Sequence, residues 1–165
     1  MLEISIKYYV ATIIVIYFPF HLFEEAIGNF PNWMKEHKWM PEKLTYGHWM
    51  ANNVFFYYSL LLTGFICYVL LGENFAFMGI GILVWGLINC LDHLVYTIID
   101  RKISPGLFTG LLYLIVFLLG LLSICKGQVP NIIVIIMSVI MGIIYAFVPV
   151  LLSVSFSEKF KKIFI

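Results

Sequence analysis

The sequence predicts an all-α integral membrane protein, a single domain built as a bundle of five transmembrane helices. Composition is the first ground. The chain of 165 residues is 62% hydrophobic and 12% charged, with mean hydropathy +1.00, whereas a soluble domain is about half apolar and about a quarter charged. The distribution of charge is the second. Residues 8–23, 44–72, 74–91, 103–125 and 127–157 carry no formal charge, and a spanning helix needs roughly 20 mostly apolar residues. The helices are expected near 5–28, 45–71, 76–99, 107–125 and 131–155.

The first helix reaches spanning length only if it continues through Glu24 and Glu25 to Ile27. Pro19 is expected to kink it just before His21, and Gly28-Asn29-Phe30-Pro31 to end it. A lone basic residue, Lys7, precedes the run and no small-residue cleavage site follows, so it does not read as a cleaved signal peptide. Residues 30–43 alternate Trp33, Met34, Trp39 and Met40 with Lys35, Glu36, Lys38 and Lys43. That mixture suits an interfacial segment in the headgroup region, and His37 among these charges reads as solvated. The second helix opens on Thr45, a natural N-cap, followed by Tyr46, His48, Asn52 and Asn53. Gly72-Glu73-Asn74 is a very short connection. The third helix carries Gly79, Gly81 and Gly86, small residues that let membrane helices approach closely, and ends in Asn89, Asp92, His93, Tyr96 and Asp100. Ser104-Pro105-Gly106 leads into a Leu-rich fourth helix, proline suiting a first helical turn. The fifth carries Tyr145 and Pro149 and runs into Lys159, Lys161 and Lys162, which suit anionic headgroups.

Eight of the ten basic residues fall in 30–43, in 100–106 and at the C-terminus, and Lys7 and Lys126 make up the rest. With five helices these groups lie on opposite sides. The excess of Lys and Arg marks the cytoplasmic side, which puts the N-terminus outside and the C-terminus inside a plasma membrane. A net charge of +1, with no nucleic-acid-binding motif, excludes a nucleic-acid partner. Cys67, Cys90 and Cys125 are odd in number, lie in or beside apolar runs and form no CxxC, so free thiols are expected.

Ionised groups inside hydrocarbon cost several kcal/mol unless partnered, so the imidazole and carboxylates of His21, Glu24 and Glu25 need company. At 1.5 Å per residue, His21 lies about 12 Å from the end of its helix at Asn29. His48 and Asn52 lie about 8 and about 13 Å from Lys43, and His93 and Asn89 about 10 and about 16 Å from Asp100. These ends share one side of the membrane. Residues three or four apart share a helix face. Tyr17, His21, Glu24, Glu25 and Gly28 therefore form one polar stripe, Thr45, His48 and Asn52 a second, and Asn89, Asp92, His93, Tyr96 and Asp100 a third. Matched depth on consecutive helices predicts one polar site facing the bundle interior.

These residues resemble the membrane-protein family named for its HXXEE motif. His21-Leu22-Phe23-Glu24-Glu25 matches that motif in full, and Asn89-Cys90-Leu91-Asp92-His93 is similar to the family's Asn and His with three residues between them. Ile103-Ser104-Pro105-Gly106-Leu107-Phe108-Thr109 resembles its Ser-Pro-Gly…Thr turn. Leu94 follows His93 where many members are expected to have an acid, which leaves open whether Asp92 takes over that role. The resemblance covers residues 21–109 and implies a polytopic, bacterial-type membrane protein with an enzymatic site. It implies no particular reaction.

The residues themselves suggest a metal. His and Glu three or four apart on a helix can chelate one ion, as helical bundles do with the reversed spacing. The expected ligands are His21, His93 and either Glu24 or Glu25, with His48 as a fourth ligand or proton donor. The remaining Glu would serve as general base, while Asn89 and Asp92 would be catalytic or ligand-orienting groups. Two His and a carboxylate suit zinc or non-haem iron. The sequence thus points to a metal-dependent enzyme, hydrolase or oxidoreductase, acting on a lipid or other apolar substrate near the cytoplasmic face. The alternatives are a small transporter or proton relay using the same titrating groups, and a structural or regulatory membrane partner whose polar groups only hold the bundle. Transport is disfavoured by the apolar outer halves of all the helices. A structural role is disfavoured by the cost of burying so many ionisable groups.

Overall fold

The computed structural model describes residues 5–36, 45–128 and 131–164, with the side chains of these up to residue 153 apart from residue 128. His37, Lys38, Trp39, Met40 and Lys43 lie outside the described residues, as do the side chains of Lys159, Lys161 and Lys162. Among the described residues the chain is helical and contains no strand. Helix α1 spans Ile6–Ile27, α2 Phe30–Lys35, α3 residues 46–71, α4 Ala76–Asp100, α5 Leu107–Ser123 and α6 Ile132–Phe164.

Among the described residues four helical stretches are long and apolar enough to cross a membrane: Ile6–Ile27, Tyr46–Asp100, Leu107–Gly127 and Ile132–Ser153. Here the structure corrects the expected count of five separate helices. The second and third run together as one stretch of 55 residues, because residues 72–75 keep a tight helical turn where a loop was expected. The stretch is nonetheless bent back on itself. Gly72, at φ 74 and ψ −149, breaks the path, and the ring of Tyr68 on α3 packs over Gly79 on α4. A short helix, α2, occupies part of the segment expected to be merely interfacial, with Pro31 in its first turn.

Helix α4 is the hub, packing against α1, α3, α5 and α6. Its small residues permit this. A Cβ on Gly81 would lie 2.7 Å from Met141 Cβ, and a Cβ on Gly142 of α6 would lie 2.5 Å from Val84 Cγ1. In lipid, helix association rests on such close packing rather than on expulsion of water. Gly142→Leu is therefore expected to cost about 1–3 kcal/mol and lower the unfolding midpoint in detergent. An unchanged midpoint would mean that α4 and α6 do not meet at these residues. Deeper in the bundle, Tyr17 of α1 packs edge-on against Trp85 of α4 at 5.2 Å. Its hydroxyl donates to Asn53 Oδ1 of α3 at 2.6 Å. Thr45 caps α3 as expected, its hydroxyl accepting from His48 N at 3.2 Å.

Candidate metal centre

The centre lies where the C-terminal half of α1 meets the turn between α4 and α5. Pro19 cannot donate a backbone N–H, and the chain before it leaves helical geometry at Phe18 (φ −120, ψ 112). The helix is therefore kinked within Ile16–His21, as proline inside a helix dictates. Regular helix resumes at Leu22, so His21 and Glu25 stack four residues apart on one face.

Three side chains converge there. Glu25 Oε1 lies 3.4 Å from His21 Nε2 and 3.6 Å from His93 Nε2. The ligand atoms of His21, Glu25 and His93 all lie within 4.8 Å of one another. Relative exposures of 1%, 4% and 2% in that order mean that water screens none of these groups. Every remaining polar atom of the trio is held. His21 Nδ1 pairs with Thr109 Oγ1 at 2.7 Å, and His93 Nδ1 with Ser104 Oγ at 2.9 Å. Glu25 Oε2 accepts from Trp49 Nε1 of α3 at 3.1 Å. Ser104 is itself fixed: its N–H donates to Thr97 Oγ1 at 3.0 Å, and that hydroxyl donates to the His93 carbonyl at 2.8 Å.

The separations suit a cation better than a direct hydrogen bond. Charge-assisted N–H···O bonds run at about 2.7–2.9 Å, shorter than either contact to Glu25. Tetrahedral N and O ligands held at about 2.1 Å from zinc lie about 3.4 Å apart. Gly106 packs directly beneath the trio. Its φ of +98 is a left-handed conformation, and a Cβ there would lie 2.6 Å from His93 Cε1 and 2.9 Å from His21 Cε1.

Other residues expected at the site stand elsewhere. Glu24 is not with the trio. Its carboxylate receives Phe108 N at 2.9 Å and Thr109 N at 2.8 Å, together with the Thr109 hydroxyl. It therefore closes the N-terminus of α5, where unpaired N–H groups and the helix dipole favour an anion. His48 is not brought to the trio either, its Nδ1 lying 2.7 Å from Thr45 Oγ1 within its own capping turn. The face that α3 presents is one residue on from the expected stripe. Trp49 and Asn53 are buried there and Asn53 Nδ2 donates to the Trp49 carbonyl at 2.9 Å, whereas His48 and Asn52 are partly buried, the Asn52 Oδ1 meeting no protein partner among the described residues. The bulky indole is what packs inward. Asn89, one turn from His93, is partly buried, and its Oδ1 meets no protein partner among the described residues. Asp92 is exposed. Sequence reasoning missed Trp49, the hydroxyls of Ser104 and Thr109, and Tyr113. Tyr113 is fully buried with its ring 5.3 Å from that of His21. Only Ser104 and Thr109 carried a signal, as the two ends of the Ser-Pro-Gly…Thr turn.

The sequence blocks that lie far apart in the chain thus meet at one point. A profile described as "protein of unknown function with HXXEE motif" matches residues 12–121. The chain belongs to the HXXEE family. The matched region contains all of α2 to α4, most of α1 and nearly all of α5, and so every residue of the centre. No curated protein and no solved structure matches the chain significantly.

Proposed function

We propose that this HXXEE protein is a membrane-embedded metal enzyme whose centre is His21, Glu25 and His93. The observation that carries the reading is the convergence of two buried imidazoles and one buried carboxylate, whose ligand atoms lie within 4.8 Å of one another, each ring anchored through its other nitrogen. Metal-ligating histidines are ordinarily held in that way. Two His and one carboxylate suit zinc or iron with a position left open for substrate. A bound metal would supply Lewis-acid or redox chemistry. The chain's own residues orient the ligands: Trp49 turns Glu25, while Ser104 and Thr109 turn the imidazoles.

The substrate class is a lipid or another apolar molecule entering from the bilayer. Supporting this, Phe20, Phe23 and Ile27 on α1, Ile103 on the turn before α5 and Phe108 on α5 are exposed apolar side chains on the elements that carry the centre, while the exposed charges of that turn, Arg101 and Lys102, stand at its start. Counting the two limbs of Tyr46–Asp100 separately gives five crossings, and the distribution of Lys and Arg then favours an outside N-terminus and a cytoplasmic C-terminus in the cell membrane.

The test is elemental analysis of purified protein, wild type beside His21→Ala. Wild type is expected to hold close to one zinc or iron per chain and the variant to lose most of it. Equal metal content in the two, or none in either, would leave the trio a hydrogen-bonded network holding the bundle.

A further inference from the structure

The proton positions around Thr109 bear directly on what the trio can bind. A hydroxyl has one proton to give. Thr109 Oγ1 has two neighbours that can only accept: Glu24 Oε2 at 2.5 Å and the Gly106 carbonyl at 3.2 Å. Glu24 is in its acceptor form, because both of its oxygens receive backbone N–H groups at the start of α5. The Thr109 proton therefore points to Glu24 or to Gly106, and towards His21 the hydroxyl can only accept. His21 Nδ1, 2.7 Å away, must be the donor.

We infer that Thr109, held by Glu24, locks His21 as the Nδ1–H tautomer, so that its Nε2 lone pair points at Glu25 Oε1 and His93. Thr109 and Glu24 are positioning residues of the centre, and Glu24 acts as neither ligand nor base. The inference rests on the metal reading for its purpose but not for its geometry. A neutral His21 locked in this way sets a lone pair against a carboxylate oxygen 3.4 Å off. Two acceptors facing each other are relieved by a metal between them, by a second proton on the ring or by a proton on the Glu25 carboxyl. The same lock separates the two adjacent acids. Glu25 is left to the trio because Glu24 is spent on the helix start and the hydroxyl.

The tautomer can be read without any metal. Histidine labelled with nitrogen-15 in the metal-free full chain, in micelles and alkaline buffer, is expected to show His21 protonated at Nδ1 alone. In Thr109→Val it should shift towards the Nε2–H form ordinarily preferred in water, and Thr109→Ser, which keeps the hydroxyl, should restore it. Titration with Co2+ gives the second readout. Affinity is expected to fall roughly ten- to a hundredfold in Thr109→Val and to stay within a few-fold of wild type in Thr109→Ser. An Nε2–H His21 in the wild-type protein would overturn the inference even if neither variant folds. So would Co2+ binding by folded Thr109→Val equal to that of wild type. Wild-type protein that shows the Nδ1–H ring but takes up no Co2+ would support the lock and overturn the metal centre, which keeps the two failures apart.

Discussion

Gly106→Ala is expected to abolish tight metal binding at the centre while Gly127→Ala leaves it unchanged. Both glycines have positive φ, +98 and +84. Both substitutions therefore carry the backbone cost of a left-handed alanine, roughly 1–2 kcal/mol. They differ in what a methyl group would meet. Beside Gly127 nothing lies within 4 Å, whereas at Gly106 a Cβ would come within 2.7 Å of His93 Nε2. Neither imidazole is free to swing away, because Thr109 and Ser104 hold the rings through Nδ1. Overpacking adds about 1–3 kcal/mol, and metal ligation tolerates displacements of only about 0.2 Å. Competition with a chromophoric chelator should show at least a hundredfold loss of zinc or cobalt affinity in Gly106→Ala. Equal affinities in the two variants would mean that the rings beside Gly106 do not ligate.

The adjacent acids should respond in opposite ways to the same isosteric change. In Glu25→Gln the amide oxygen can keep the bond from Trp49 Nε1, now made at 3.1 Å to Oε2. Its NH2 group then faces the two Nε2 atoms and can donate to one of them. With both proteins stripped of metal the fold should hold, with an unfolding midpoint equal to or above that of metal-free wild type, since a buried carboxylate without a cation beside it has been removed. Metal uptake should fall a hundredfold or more. Glu24→Gln should do the reverse. Both oxygens of Glu24 accept backbone N–H groups of α5, and an amide can offer only one oxygen, so one donor is left facing another. That costs about 1–3 kcal/mol, with a further fraction from the lost charge at the helix start. Metal affinity should change by less than in Glu25→Gln. Metal content and thermal unfolding measured on both variants decide the matter. A larger metal loss in Glu24→Gln would assign the ligand to the wrong acid.

What the sequence determined by itself follows from hydropathy and from the period of a single helix. The charge-free runs located the apolar helical stretches, the second and third of which form one stretch in the structure, and Pro19 and Gly28 marked where the first one bends and ends. Spacing put His21 and Glu25 on one face and His93 at matching depth, which was enough to anticipate their meeting. Helical period says which residues share a face, but it does not say how far a helix is rotated against its neighbours. That rotation is settled by the fit of bulky side chains, and on α3 it is the Trp49 indole and Asn53 that are buried while His48 stays in its own capping turn. The choice between Glu24 and Glu25 was out of reach for the same reason. Adjacent residues point about 100° apart around a helix, and only the approach of the α5 N-terminus to one of them, with His93 near the other, gives two identical side chains different work. The division of the acids and the hydroxyls that aim the imidazoles therefore belong to the tertiary structure, because each depends on a partner more than ten residues away in the chain.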